Sequence, residues 1–419
     1  MSLALALALA QPGFLAPAFP SLASPQEAPA SRAADEPASR ARAAAARASA
    51  WLVRQQQPNG CWLPGAEPVP MKPAPGGGVS DDAFWDEVLD GGTPDLAPEA
   101  APRDEPGEDV YTVGVTGLAL LSLCADGQLG EDAPHRDAGL RAAGWLLSQQ
   151  DEETGCVGDR VGFAFLYDHA IATLALLAVH RADADVSLKL PGDAKATPPA
   201  VALAPRLQSA LSFIARARNP YRVWRYEVPP TGDNDTSITA WMTLAHTAAG
   251  AQGLEVDRHA TEAIIGWMDE MTEAGTGRVG YSDRGSASSR VPGANVQFDV
   301  TDAETLTAAG LMCRLELGQS PRTGASVSHV KCMLRALPDD GEELRDALWV
   351  YFGTRALAAV GSRPWGLWRD RVVSRVLADQ ATDGPLTGSW APRTAWSYAS
   401  GRIGTTALMS LAASIASSQ

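Results

Sequence analysis

Two aspartates stand just before an apolar stretch near the middle of the chain, where a carboxyl group could do acid chemistry. Asp233 and Asp235 flank Asn234 and precede Thr236 and the apolar residues that follow it. A carboxylic acid that its surroundings keep protonated can act as a general acid. An aspartate in this place can instead cap a helix, because its oxygen accepts from the free N–H groups of the first turn. The pattern predicts a helix start and leaves both roles open.

A second candidate pair, Asp168 and His169, stands at another predicted helix start. His169 could act as a proton shuttle if Asp168 raises its pKa. A histidine here could equally bond a neighbouring loop carbonyl and be structural. The candidate catalytic residues are therefore Asp235, Asp233, His169 and Asp168.

Acids at several predicted helix starts also permit glycan chemistry, which needs two carboxylates beside one bond. Nearby aromatic side chains could stack on sugar rings or on an apolar ligand. The alternative is that these acids are only helix caps. The acids are Asp168, Asp233, Asp235, Asp302 and Glu304, and the other candidate ligand-binding residues are Tyr167, Trp224, Tyr226, Thr236, Tyr351, Tyr398 and Arg402.

Two kinds of helix that alternate along the chain must position these residues. The first carries Trp, Leu and Gln and leads into a Gly-containing loop, as from Trp51 to Trp62 and from Trp145 to Cys156. The second begins with polar residues and continues with small apolar ones, which allow helices to approach closely. Six such hairpins predict an all-α fold, a closed α/α toroid (an α6/α6 barrel) over residues 44–419 with a long insertion at 63–108.

The Gln- and Trp-bearing stretches resemble the repeats of the squalene–hopene cyclase and protein prenyltransferase β-subunit superfamily. Trp145 to Gln150 with Gly155, its counterpart from Trp51 to Trp62, and Gln380 with Gly388 to Trp390 carry the resemblance. The segments 167–176 and 348–354 look like its single-barrel bacterial members, known as prenyltransferase and squalene oxidase repeat proteins.

The resemblance implies a toroid whose inner helices line a deep, largely apolar pocket. It also implies a structural role for the outer-helix residues Trp51, Trp145, Gln149 and Gln150. The Gln side chain is expected to bond to the backbone of the next repeat, and the Trp to stack on a helix end.

The same resemblance suggests two chemistries. Cyclases of this group protonate an alkene with the middle acid of an Asp-any-Asp-Asp-Thr motif. Aligned on Thr236, the chain has Asn234 at that middle position, so the proton donor is missing; shifted by one residue, Asp233 is first and Asp235 takes the middle place. If the protein is an enzyme, such acid catalysis is favoured over the alternative, a zinc prenyltransferase.

A zinc prenyltransferase would hold its metal with Asp, Cys and His. None of the five cysteines follows an inner-helix acid in the required Asp-any-Cys arrangement. Core packing explains the cysteines, although one disulfide between Cys61 and Cys156 stays open. We expect neither a metal nor a cofactor.

Composition bears on partners and location. The 419 residues carry a net charge of −15, which argues against a nucleic-acid partner. Residues 1–10 are apolar and end in Ala-Leu-Ala but lack a positive start, so the segment 1–43 is interpreted as a signal-like stretch with a Pro- and Ala-rich disordered leader. This slightly favours export, to the periplasm or outside, over a cytoplasmic location. No integral membrane span is expected, and a peripheral membrane or protein partner stays open.

The sequence thus predicts a toroid with a central pocket for an apolar, isoprenoid- or lipid-like ligand, and leaves catalysis undecided. An enzyme would have an acid buried against apolar walls at Asp235 or Asp168, whereas a binding protein would have solvated caps above its pocket. The alternatives are a glycan-active hydrolase or lyase that uses rim carboxylates, and a non-catalytic protein-interaction scaffold.

Overall fold

A computed structural model describes residues 35–65, 104–162, 164–191, 200–301 and 303–419. Most of these residues are helical, and within the same ranges the strands are one short antiparallel pair, Ser187–Lys189 (β1) and Ala200–Ala202 (β2). The predicted all-α class is confirmed. The signal-like segment and residues 66–103 of the insertion lie outside the described part of the chain.

Helices alternate in chain order between an outer set and an inner set. The helices are α1 (Asp35–Gln55), α2 (Thr112–Ala125), α3 (Arg136–Ser148), α4 (Phe165–Ala182), α5 (Leu203–Ala217), α6 (Thr236–Gly250), α7 (Ala260–Met271), α8 (Thr305–Glu316), α9 (Gly324–Arg335), α10 (Ala347–Val360), α11 (Ser362–Trp368), α12 (Ser374–Ala378) and α13 (Ser397–Ser417). We call α2, α4, α6, α8, α10 and α13 the inner helices and the others the outer helices. A π-helical turn, Arg369–Val373, joins α11 to α12.

The first helix begins earlier than the predicted domain start at residue 44. It starts at Asp35 and includes an alanine-rich run that has strong helix propensity. Part of the segment 1–43 therefore belongs to the folded domain.

Burial distinguishes the two sets of helices. In α2 every residue from Gly114 to Leu123 is buried, which means that the helix is surrounded by other elements. In α5 the buried residues, among them Leu207, Leu211 and Ile214, recur every three or four positions, so only one face packs inward.

Contacts between the inner helices form a closed series. Each helix in the series packs against the next, and the last helix packs against the first. The contacting pairs are α2 with α4, α4 with α6, α6 with α8, α8 with α10, α10 with α13, and α13 with α2.

A repeated glutamine contact joins successive outer helices. Gln150 Nε2 donates to the carbonyl oxygens of Gly155 in its own loop and of Arg206 in α5, both at 3.0 Å, while Gln150 Oε1 accepts from Arg206 Nε at 2.5 Å. Gln149 Nε2 donates instead to Ser148 Oγ, its neighbour in the chain. Of the two glutamines predicted to bond to the next repeat, Gln150 is therefore the one that does so. The same joint occurs at Gln56 with Gly60, Ala138 and Arg141, and at Gln380 with Gly388, Ala44 and Arg47.

The joint at Gln380 links the two ends of the described chain. Gln380 Nε2 donates to the carbonyl oxygen of Ala44 in α1 at 2.8 Å, and Arg47 Nη2 donates to Gln380 Oε1 at 2.6 Å. A Cβ atom at Gly388 would lie 2.3 Å from the carbonyl oxygen of Arg47, so glycine is required at this contact. The last outer helix therefore docks on the first as earlier neighbours dock on each other.

Candidate functional site

A cavity of about 180 Å³ lies between the N-terminal halves of the six inner helices. Aliphatic side chains such as Leu118, Ile171 and Leu408 form part of its wall, together with small polar groups such as Ser288. The remaining wall is largely aromatic. The aromatic lining residues are Tyr111, Tyr167, Tyr226, Trp241, Phe352, Trp396 and Tyr398.

Asp168 is the carboxyl group that lines this cavity, and the described lining residues include no second one. It lies in the first turn of α4 with 8% of its surface exposed, and its Oδ1 accepts from the backbone N–H of Gly114 in α2 at 2.9 Å. Burial raises the pKa of Asp168 to about 7, and the hydrogen bond from Gly114 only partly opposes the rise. A large fraction of Asp168 therefore carries a proton at neutral pH.

The contact between Asp168 and helix α2 requires a glycine at position 114. A Cβ atom at this position would lie 2.3 Å from Asp168 Oδ1, well inside contact distance. The absence of a side chain brings the backbone N–H within hydrogen-bonding range of the carboxylate. A small residue in α2 thus fixes the position of an acid in α4.

Asp235 is also buried, but it does not line the cavity. It caps α6, because its Oδ1 accepts from the backbone N–H of Ile238 at 2.9 Å and from Ser237 Oγ at 2.8 Å. Its Oδ2 is buried without a well-formed hydrogen bond from the described residues. Burial raises the pKa of Asp235, against the opposing effect of hydrogen bonds from Ile238, Ser237 and Tyr226. The predicted cap at this position is confirmed.

Ser237 connects Asp235 to the cavity wall. Both Ser237 and Tyr167 line the cavity, and the Tyr167 hydroxyl lies 2.6 Å from Ser237 Oγ. Ser237 has one hydroxyl proton, which goes to Asp235, so Tyr167 is the donor in its bond to Ser237. Asp235 therefore orients groups of the wall from behind it.

The predicted ligand-binding tyrosines Tyr167, Tyr226 and Tyr398 all line the cavity. The rings of Tyr167 and Tyr226 lie 6.0 Å apart, and the Tyr226 hydroxyl is hydrogen-bonded to that of Tyr281. Burial raises the pKa of all three phenols. They are neutral at physiological pH and present ring faces and hydroxyl groups to a ligand.

His169 faces away from the cavity and is held by the backbone on both sides. Its Nδ1 accepts from the N–H of Val157 at 2.9 Å, so the proton is on Nε2, which donates to the carbonyl oxygen of Ala210 at 3.2 Å. Burial lowers its pKa to about 4. The raised pKa that a proton shuttle at His169 would need is contradicted, because burial and the charge of Arg216 lower this pKa. The structural alternative describes His169 better than a proton shuttle.

Trp224 and Thr236 are used inside the fold and do not line the cavity. Trp224 Nε1 donates to the carbonyl oxygen of Ile214 at 2.9 Å, which ties the loop to α5. Thr236 Oγ1 donates to the carbonyl oxygen of Gly280 at 2.6 Å and accepts from Trp267 Nε1 at 3.1 Å. Their hydrogen bonds connect helices and loops.

Glu304 and Asp233 are paired with arginines outside the cavity. Glu304 forms an ion pair with Arg278 behind the start of α8. The side chain of Asp233 is 70% exposed and lies 3.8 Å from Arg225. Asp302 lies outside the described residues. Of the five acids that could have formed a rim of caps, Asp235 is the one whose described side chain caps its helix.

Tyr351 and Arg402 occupy other parts of the molecule. Tyr351 lies within α10 and stacks on Trp241, with ring centroids 5.7 Å apart. Arg402 forms an ion pair with Asp104 beside the start of α13. Neither residue lines the cavity.

Several aromatic lining residues are not among those that the sequence predicts to bind a ligand, namely Tyr111, Trp241, Phe352 and Trp396. Phe352 and Trp241 both lie in the second turn of an inner helix, six residues after the capping aspartates Asp346 and Asp235. That spacing from a helix cap is the signal that could have identified them.

The described residues contain no group of three or more His, Cys, Asp or Glu side chains placed to hold a metal ion. None of their helices has the length and the apolar composition that crossing a membrane requires. All five cysteines are free thiols, so the Cys61–Cys156 disulfide is absent.

Comparison with known proteins gives no match to a protein-family model and no match to a curated protein. The functional assignment therefore depends on the geometry of the cavity and on the contacts of the helices.

Proposed function

We propose that the six hairpins form a closed α/α toroid of the squalene-cyclase and prenyltransferase repeat type. The closed series of contacts between inner helices supports this architecture. The glutamine joint between the last and first outer helices supports it independently, because a closed ring needs such a contact between its two ends.

The central cavity is proposed to bind an apolar, isoprenoid- or lipid-like molecule. Its wall is mainly aromatic and aliphatic, and burial of such a ligand would be driven by the hydrophobic effect. The observation that carries the proposal is the placement of Asp168, a buried carboxyl group with a pKa of about 7, in that apolar wall.

Asp168 is proposed to act on the ligand as a general acid. Its carboxyl proton adds to one carbon of a carbon–carbon double bond, which leaves a carboxylate on Asp168 and a cation on the other carbon. Faces of the surrounding aromatic rings stabilise that cation by cation–π attraction. The Asp168 carboxylate then takes a proton from a carbon next to the cation, which restores a double bond in the rearranged product and returns Asp168 to its protonated form.

The two alternatives receive less support from the cavity. A glycosidase of the common type needs two carboxyl groups at the bond that it cleaves, and the described lining provides one. A scaffold with a core plugged by its own side chains does not account for a cavity that stays open among the described residues and contains a buried acid. The other plug that a scaffold would predict, the insertion at 63–108, lies for the most part outside the described residues.

Incubation with squalene and with geranylgeraniol in D₂O tests this proposal. Protonation by Asp168 places solvent-derived deuterium on a carbon atom of the probe, which mass spectrometry detects. We expect incorporation by the wild type with at least one probe, a fall of about a hundredfold or more for Asp168→Asn, and retention for Asp235→Asn.

Native mass spectrometry of the same mixtures separates binding from chemistry. If a probe binds but incorporates no deuterium, Asp168 is not a general acid, although the pocket still binds apolar molecules. Incorporation that is equal in Asp168→Asn would also reject the acid role. Failure of both probes to bind would contradict the proposed ligand class.

A further inference from the structure

A second cavity, of about 120 Å³, lies at the opposite ends of the inner helices. It is lined by the C-terminal halves of α2, α4 and α13, through residues such as Leu121, Leu174 and Leu411. Each of these residues lies one turn beyond a residue of the same helix that lines the first cavity, namely Leu118, Ile171 and Leu408. The two cavities therefore follow one another along the same helices.

An aromatic pair separates the two cavities. Trp241 lines the first cavity and Tyr351 the second, and their rings stack with an interplanar angle of 17°. Phe352 supports Trp241 from the side, with ring centroids 5.2 Å apart. A ligand in the second cavity would therefore not contact Asp168.

The charged side chains that line the second cavity are both cationic, whereas the chain as a whole is acidic. The cavity's described lining includes the guanidinium groups of Arg181 and Arg355 and no carboxylate, although the whole chain has a net charge of −15. Arg181 lies in the last turn of α4, where the helix dipole by itself favours a cation. Arg355 lies in the middle of α10, away from the helix C-terminus, and is paired with Glu316.

Arg355 is paired with an acidic side chain that is not part of the cavity lining. Its Nε donates to Glu316 Oε1 at 2.7 Å, and the side chains of the pair are 21% and 20% exposed. Arg355 and Arg181 both have partners within the protein. A guanidinium group has five N–H donors, so an anion can be added as a further partner of Arg355.

We propose that this second cavity binds an anionic amphiphile, such as a fatty acid. The carboxylate would pair with Arg355 and Arg181, and the alkyl chain would lie among Leu121, Leu174 and Leu411, towards Tyr351. This site does not depend on the proposed function of the first cavity.

Calorimetric titration of the full chain with decanoate and with decanol tests the second site. Both probes have the same alkyl length, and only decanoate has a charge. We expect decanoate to bind about tenfold to a hundredfold more tightly, because hydrogen bonds to charged groups are stronger than neutral ones.

The variant Arg355→Gln with Glu316→Gln removes the cation without leaving its partner unpaired, and we expect it to abolish most of the preference for decanoate. Arg222→Gln with Glu270→Gln is the matched control, since that ion pair is exposed at the surface. Arg181→Gln, which changes a surface residue, is expected to weaken decanoate binding less and provides a second test if the double variant fails to fold.

Asp168→Asn should leave the binding of decanoate unchanged. Equal affinities for decanoate and decanol, or an undiminished preference in both the double variant and Arg181→Gln, would overturn the second site. A loss of decanoate binding in Asp168→Asn would place the probe in the first cavity and would overturn it as well.

Discussion

A buried aspartate lies at the start of α4 and another at the start of α6, and their carboxyl groups make different contacts. Asp235 is a helix cap whose Oδ1 is fully used by Ile238 and Ser237. Asp168 caps no helix, accepts a hydrogen bond from Gly114 of a neighbouring helix and lines the central cavity. Position at a helix start therefore does not decide whether an acid caps its helix or lines the cavity; the direction in which its carboxyl group faces does.

The largest expected effect concerns the cost of ionising Asp168. Its pKa in the folded protein is about 7, against 3.8 for an exposed aspartate, so the folded state binds the proton more tightly. The free energy of unfolding should therefore fall as pH rises from about 4 to about 7, by up to about 4 kcal/mol at about 1.4 kcal/mol per pKa unit. Asp168→Asn should remove this contribution and be the more stable protein at pH 8.

The measurement is denaturant unfolding of both proteins across pH 4 to 8, with the difference between them taken at each pH. His169 has its pKa lowered to about 4, so its own contribution has the opposite sign: stability is lost as pH falls from about 6.5 to about 4. Subtraction removes that contribution. If the difference in the free energy of unfolding between the two proteins does not change with pH, the pKa of Asp168 is not raised.

Gly114→Ala should disturb Asp168 and leave Asp235 unaffected. The new methyl group would overlap Asp168 Oδ1, so we expect a loss of about 1–3 kcal/mol in the free energy of unfolding and a displaced carboxyl group. Gly266→Ala, in the outer helix α7 with open space around it, is the matched control and should not destabilise the protein. Equal stability of both variants would show that α2 does not fix the acid.

Asp235→Ala should cost about 1–2 kcal/mol of stability, because it removes the cap of α6. Deuterium incorporation per folded molecule should survive this substitution if the comparison is correct. Thermal unfolding and the D₂O assay together check both statements. If folded Asp235→Ala no longer incorporates deuterium, Asp235 takes part in the chemistry, as the shifted motif suggests, and is not only a helix cap.

The smallest expected effect on the ligand is that of Ser237→Ala. This change removes one hydrogen bond to Asp235 and one acceptor for Tyr167, each worth about 1 kcal/mol. The free energy of unfolding should fall by about 1–2 kcal/mol, and the affinity for geranylgeraniol should change more than that for squalene, which has no hydroxyl group. Equal changes for the two probes would mean that the Tyr167 hydroxyl does not contact the ligand.

Local patterns were enough to predict the helical class and a cap at the start of α6, and the resemblance to a known repeat family implied the backbone contact that Gln150 makes. Each of these depends on neighbours in the sequence or on one adjacent repeat. The choice between Asp168 and Asp235 could not be predicted, because it depends on how α2 packs against α4 at Gly114. The two hydrogen bonds of His169 could not be predicted for the same reason, since Val157 and Ala210 belong to different segments.

The most direct test of the central claim is a pH titration of the protein with ¹³C-labelled aspartate carboxyl groups, followed by nuclear magnetic resonance in the wild type and in Asp168→Asn. We predict one carboxyl resonance that titrates near pH 7, disappears in Asp168→Asn and remains in Asp235→Asn. A wild-type spectrum in which the resonance lost on Asp168→Asn substitution titrates near pH 4 would contradict the claim that Asp168 is the proton-carrying acid of the pocket.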